Sequence, residues 1–182
     1  MSKATLKKAL AALTQEQITE MVLDLYAARP EAKEYLDFWV SGDIDSKMTK
    51  AKNAIAKEIA RAQRGRPRPR MTKIKRFIKD IVSLNADSEA IGEIMTFSIE
   101  RMCAVGSDKW VKESTQKSVA KLLHDTLTYI RKSGIYAIFI QRLRTAIESM
   151  STDYWWSRDF RTLLEEEMRE TLLEYTRLEQ TL

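Results

Sequence analysis

Apolar residues recur at helical spacing along almost the whole chain. Ile18, Met21, Val22, Leu25 and Tyr26 fall at i, i+3, i+4, i+7 and i+8, one face of a helix. Ahead of them a first helix runs from about Lys3 to Leu13, and Thr14-Gln-Glu-Gln17 reads as a capping box. Arg29-Pro30 ends the second helix, because proline disfavours the α region for the residue before it. Pro30 opens the third, through Tyr35, Leu36, Phe38 and Trp39, and Ser41-Gly42-Asp43 breaks it. In the fourth helix Met48, Ala51, Ile55, Ile59 and Ala62 share an arc of about 80°, while Lys50, Lys57, Arg61 and Arg64 share a second of about 60°, roughly opposite.

Arg64-Gly-Arg-Pro-Arg-Pro-Arg70 stops that helix, since two prolines and a glycine do not fit a regular helix interior. Thr72 reads as the next N-cap, before the stripe Ile74, Phe77, Ile78 and Ile81. Asn85 to Asp87 is a turn, with Asp87 capping the helix of Ile91, Ile94, Met95, Ile99 and Met102, which Gly106-Ser-Asp108 ends. Lys109 to Lys132 is helical, with a kink near Ser114, and carries Val119, Leu122, Leu123, Leu127 and Ile130. Gly134 separates it from Ile135, Ile138, Phe139, Leu143, Ala146 and Met150. After a turn at Ser151 to Asp153, a terminal helix from about Trp156 to Gln180 turns Leu164, Met168, Leu172 and Tyr175 inward.

The expected fold is all-α: about nine helices, at least two thirds of the residues helical, no strand. Connections are short, which favours a compact bundle or a short array of antiparallel helix hairpins. Residues 1–182 read as a single helical domain, with 64–71 a basic Gly/Pro interhelical linker. Ile55, Ile78, Ile94, Leu123 and Phe139 are expected to be almost fully buried.

Charge changes this picture at one place. The net charge is +5, yet the thirty residues from Lys50 to Lys79 hold twelve cations and one acid, Glu58, or +11, so the other 152 carry −6. The longest strongly apolar run, Ile135 to Ile140, falls short of the roughly 20 residues of a membrane span. Cys103 is the single cysteine, which precludes an intramolecular disulfide and fits a reducing compartment. The start of the chain alternates Lys with Leu and Ala and lacks a signal-peptide apolar region, so a cytoplasmic location is expected.

Candidate chemistry is sparse. His124, the one histidine, sits at the edge of an apolar stripe and reads as a boundary residue; one His and one distant Cys make a poor zinc site. Glu166, Glu170 and Glu174 share a helix face but lack the Glu-x-x-His partners of di-iron bundles, and read as a solvated acidic face or as partners that cover the basic segment. No nucleophile elbow, zinc-protease, phosphate-loop or dinucleotide motif occurs. Neither a cofactor nor a catalytic residue is expected.

Two clusters remain. Trp155 and Trp156, with Tyr154 and Phe160, form an aromatic group at a helix start, read as packing core or as a partner pocket. The segment Arg64 to Arg70 resembles the core of an AT-hook, an arm for A·T-rich minor grooves: glycine permits close approach, proline holds an extended path, arginines reach into a narrow negative groove. Interhelical linker, nucleic-acid contact, and contact with an anionic membrane or acidic partner are the readings of this segment. Candidate contact residues are Lys50, Lys57, Arg61, Arg64, Arg66, Arg68, Arg70, Lys73, Lys75, Arg76 and Lys79.

Leu6 to Tyr26, Pro30 to Phe38, and the basic segment leading into Met71 to Ile78 carry a wider likeness. Through them the whole chain resembles a bacterial all-helical family known only as a domain of unknown function. The resemblance implies a compact helical fold in a cytoplasmic bacterial protein and brings no reaction. The expectation is a non-enzymatic interaction or scaffold module with a protein partner; the alternative is a nucleic-acid-binding protein that uses residues 50–79.

Overall fold

A computed structural model describes residues 2–179, with side chains as far as Tyr175. Nine helices span these residues, and helix makes up 79% of the chain. Their contacts divide it into two compact units, residues 1–43 and residues 44–182.

The first unit holds α1 (Lys3–Leu10), α2 (Gln15–Ala28) and α3 (Pro30–Ser41). The capping box forms: the Gln17 amide donates to Thr14 Oγ1 at 3.3 Å and the Thr14 amide donates to Gln17 Oε1 at 2.9 Å. Pro30 is the first residue of α3, and Gly42 ends it with φ of 63°. The Tyr26 hydroxyl donates to Asp37 across the α2–α3 hairpin at 2.8 Å. No residue of these three helices is buried. Met21, Leu25 and Tyr35, placed on inward faces by their spacing, stand exposed.

The second unit holds α4 (Ile44–Ile59), a two-stranded antiparallel hairpin of β1 (Ala62–Gln63) and β2 (Arg66–Pro67), α5 (Met71–Ser83), α6 (Ser88–Asp108), α7 (Glu113–Lys132), α8 (Tyr136–Glu148) and α9 (Trp155–Glu179). Gln180, the expected end of the last helix, lies outside the described residues. Helix α6 packs against α4, α5, α7, α8 and α9 and is the centre of the core. Ile55, Ile78, Ile94, Leu123 and Phe139 are all buried, as their stripes predict.

The structure departs from the sequence reading at several points. Helix α4 stops at Ile59, so Ala62 leaves the apolar face and stands exposed in β1. Arg70, not Thr72, is the N-cap of α5, and it makes no side-chain capping bond. Ile138 is half exposed. Helix α6 ends at Asp108, within the Gly106-Ser-Asp108 stop, but Gly106 itself is helical and buried. A Cβ there would lie 2.5 Å from the Phe160 ring, and one at Gly92 would lie 2.8 Å from Phe139. At these glycines the Phe160 ring of α9 and the Phe139 ring of α8 pack directly on the α6 backbone. Arg142 on α8 donates to Glu100 and to Glu93 on α6, and Lys52 on α4 donates to Glu93 at 2.7 Å. Burial raises the Glu93 pKa, but the bonds from Arg142 and Lys52 outweigh it and hold the carboxyl below its ordinary range.

Candidate nucleic-acid interface

The segment expected to be a linker is an ordered hairpin. Its register pairs Ala62 with Pro67 and Gln63 with Arg66, leaving Arg64 and Gly65 as a two-residue loop. Both loop residues have positive φ, 52° and 75°, as the type I′ turn of a tight hairpin requires. Glycine adopts this freely; arginine does so at a cost. Pro67 and Pro69 are buried, which differs from an extended arm lying free in a minor groove.

Glu58 of α4 and Arg61, two residues beyond its end, clip the hairpin in place. The Arg68 amide donates to the Arg61 carbonyl at 2.9 Å, and Arg61 Nη1 donates to the Arg68 carbonyl at 2.7 Å. Glu58 is buried and accepts three bonds from Arg70: from Nε at 2.8 Å, from Nη2 at 2.7 Å and from the backbone amide at 3.0 Å. The Arg70 side-chain bonds, its amide and its charge, with help from Arg61, hold the Glu58 carboxyl below its ordinary range against the opposing effect of burial. The single acid of the basic segment is thereby neutralised from within it.

Of the candidate contact residues, Arg70 is therefore committed to Glu58 and Arg61 to the hairpin's own backbone. Lys50 and Lys57 are exposed on α4; Arg64, Arg66 and Arg68 are exposed on the hairpin; Lys73, Arg76 and Lys79 are exposed on α5, and Lys75 is half-buried. None of these nine has a carboxylate partner among the described residues. Glu166, Glu170 and Glu174 are exposed on α9, and no described ion pair joins them to the basic segment.

Beside the hairpin runs a groove of about 580 Å³. Arg66 and Pro67 form one wall, Asp108, Lys109 and Trp110 at and beyond the end of α6 another, and Trp155 and Trp156 at the start of α9 the third. Trp155 is 58% exposed and Trp110 38%. The Tyr154 ring stacks on Trp156 with centroids 4.4 Å apart, and Trp155 meets Trp156 edge-on at 84°. Phe160, grouped with these aromatics by sequence, instead sits in the core against Gly106. Trp156 Nε1 is a buried donor with no acceptor among the described residues. Trp110 and Lys109 carry no local sequence signal of a site. They precede Trp155 by 45 and 46 residues, and only the packing of α6 and α9 unites them.

The remaining candidates are structural. His124 Nδ1 lies 3.1 Å from Thr171 Oγ1 and 3.2 Å from Glu167 Oε1, across the α7–α9 contact. One ring nitrogen faces both groups, whereas a hydroxyl–imidazole–carboxylate relay uses opposite nitrogens. Cys103 is buried, and burial pushes its thiol up to about 12, the reverse of what a nucleophilic cysteine needs. No three metal-ligating side chains converge among the described residues, and no helix there is long and apolar enough to cross a membrane.

The fold and site define an all-α protein that presents a clipped basic hairpin beside a tryptophan-lined groove. The chain belongs to a family of unknown function (DUF6155), whose family model matches residues 1–167. No curated protein and no solved structure matches it.

Proposed function

We propose that this protein is a non-enzymatic binding module whose ligand is a nucleic acid, gripped through the hairpin and the basic faces of α4 and α5. The observation that carries the reading is the hairpin itself: Arg64, Arg66 and Arg68 are exposed without carboxylate partners, on a backbone held by Arg61 and by the Arg70–Glu58 pair. A merely solvated linker needs no such fixing. Preorganised guanidinium groups suit phosphate oxygens, because the planar fork loses little freedom on binding. Each phosphate neutralised releases condensed counterions, which supplies affinity without reading sequence.

Fluorescence anisotropy with labelled oligonucleotides at several salt concentrations tests it. The expected slope of log K against log salt is about −0.9 per phosphate on duplex DNA and −0.7 on single strands. Replacing Arg64 and Arg66 together by Ala should weaken binding to every sequence and flatten the slope by roughly one to two phosphates. No binding at any salt concentration would return the segment to a solvated linker. It would leave residues 1–43, where Trp39 and Val40 are 73% and 79% exposed, as the surface for a protein partner.

A further inference from the structure

We propose that the tryptophan-lined groove takes an unpaired nucleobase, so that the bound nucleic acid is single-stranded; the inference rests on the hairpin being a phosphate-binding element. Two features of the groove act together. Its aromatic walls are accessible: Trp155 is more than half exposed and Trp110 is part-exposed. Its lining carries two cations, Arg66 on the hairpin and Lys109 after α6, against one carboxylate, Asp108, and is net positive.

The rim decides between guests that favour aromatic walls. A quaternary or methylated ammonium group is attracted to indole faces and to Asp108, but it meets the two opposing charges of Arg66 and Lys109. A neutral base joined to an anionic backbone is attracted twice, its ring by the indoles and its phosphates by the rim cations. Stacking of this kind is tolerant of sequence, since every base has a π-face. A base inside a duplex is already stacked and paired and reaches such a groove only by flipping out, at the cost of its own stacking. Duplex can therefore engage the hairpin but not the groove. The groove volume of about 580 Å³ lies within the range of sites that hold small planar ligands.

The test uses the full chain with labelled single-stranded DNA and RNA of about 12 nucleotides, the matching duplexes, and a polyglutamate peptide. Trp155→Ala removes an exposed ring, and circular dichroism confirms that the helices persist; Trp155→Phe keeps a stacking surface. The expected result is tighter binding of single strands than of duplex, with quenching of intrinsic tryptophan fluorescence by single strands alone. Trp155→Ala should weaken single-strand binding about five- to 150-fold and leave duplex binding unchanged, and Trp155→Phe should restore most of the loss. Equal binding of single strand and duplex, with no effect of Trp155→Ala but loss on replacing Arg64 and Arg66, would overturn this inference and leave the hairpin reading standing. Binding of no oligonucleotide, or of polyglutamate as tightly as any oligonucleotide, would overturn both.

Discussion

Helices α2 and α7 differ in their local start signals and end in opposite environments, the better-capped helix in the more exposed one. Helix α2 opens with a complete capping box and carries an unbroken apolar stripe, yet none of its residues is buried. Helix α7 starts at Lys112 without any side-chain capping bond, yet Val119, Leu123, Leu127 and Ile130 are sealed in the core. Caps and periodicity determine that a segment is helical. Burial depends on the neighbours that fold against it, and most helical stability in proteins comes from that packing. Residues 1–43 offer a two-helix hairpin, whereas in residues 44–182 α6 supplies a surface that five other helices share. Exposed apolar side chains such as Leu23, Trp39 and Val40 are the mark of the first situation.

Matched truncations test this contrast with the largest effect. Leu123→Ala in α7 should cost roughly 2–5 kcal/mol, because the side chain is fully buried and the cavity cannot close completely. Leu25→Ala in α2 removes the same atoms from a half-exposed site and should stay within about 0.5 kcal/mol. Urea unfolding followed by far-UV circular dichroism measures both. A cost above about 2 kcal/mol for Leu25→Ala would break the comparison, by showing that the α2 stripe is held in a core after all.

Acid sharpens the same contrast at intermediate size. Glu58 and Glu93, in the second unit, are both held below the ordinary carboxylate range by charged partners on other elements. Their folded-state values lie below the unfolded ones. The stability they contribute is therefore complete above the ordinary Glu value of about 4.3 and is lost as pH falls through the lowered values. Glu58→Gln should cost roughly 1–3 kcal/mol at neutral pH, since it weakens charge-assisted bonds to a buried group. The gap between wild type and Glu58→Gln in urea unfolding should narrow from about pH 4.3 downward. A gap that stays constant from pH 7 to about pH 3 would mean that the Glu58 charge does no stabilising work.

Much of the fold was legible because helices announce themselves locally. The Thr14 and Asp87 caps, the Pro30 start, and the stripes of α5 and α6 all follow from neighbours within a few residues. Some of the misreadings come from contacts distant in sequence, others from unusual local signals. Gly106 has the local look of a helix breaker, but its role is set by Phe160, 54 residues later. The hairpin escaped notice because its first loop position is Arg64, where the usual signal is Asn or Asp before Gly. Of the site, the cations were plain in the sequence. Their division into structural members, Arg61 and Arg70, and members left to face solvent was not, because it depends on which guanidinium reaches Glu58 and which reaches the Arg68 carbonyl. Trp110 joined Trp155 and Trp156 only through tertiary packing.

The smallest expected effect concerns Arg64, a strained position inside the well-packed unit. A non-glycine residue in the left-handed region costs roughly 1–2 kcal/mol. Arg64→Gly removes that cost but gives the unfolded chain extra freedom, worth roughly 0.5–1 kcal/mol in the other direction. The net change should be a gain of a few tenths to about 1 kcal/mol, read as a small rise in the urea midpoint. The same change deletes one exposed guanidinium, so oligonucleotide binding should weaken while stability rises. Strain retained where a function needs it has this signature, since the stabilising substitution is the damaging one. Arg66→Gly provides the control: it removes an equal charge at a position with ordinary backbone, and should weaken binding and lower stability together. Should Arg64→Gly lower the midpoint as Arg66→Gly does, the left-handed backbone at Arg64 carries no strain to release, and its arginine has no cost that binding must justify.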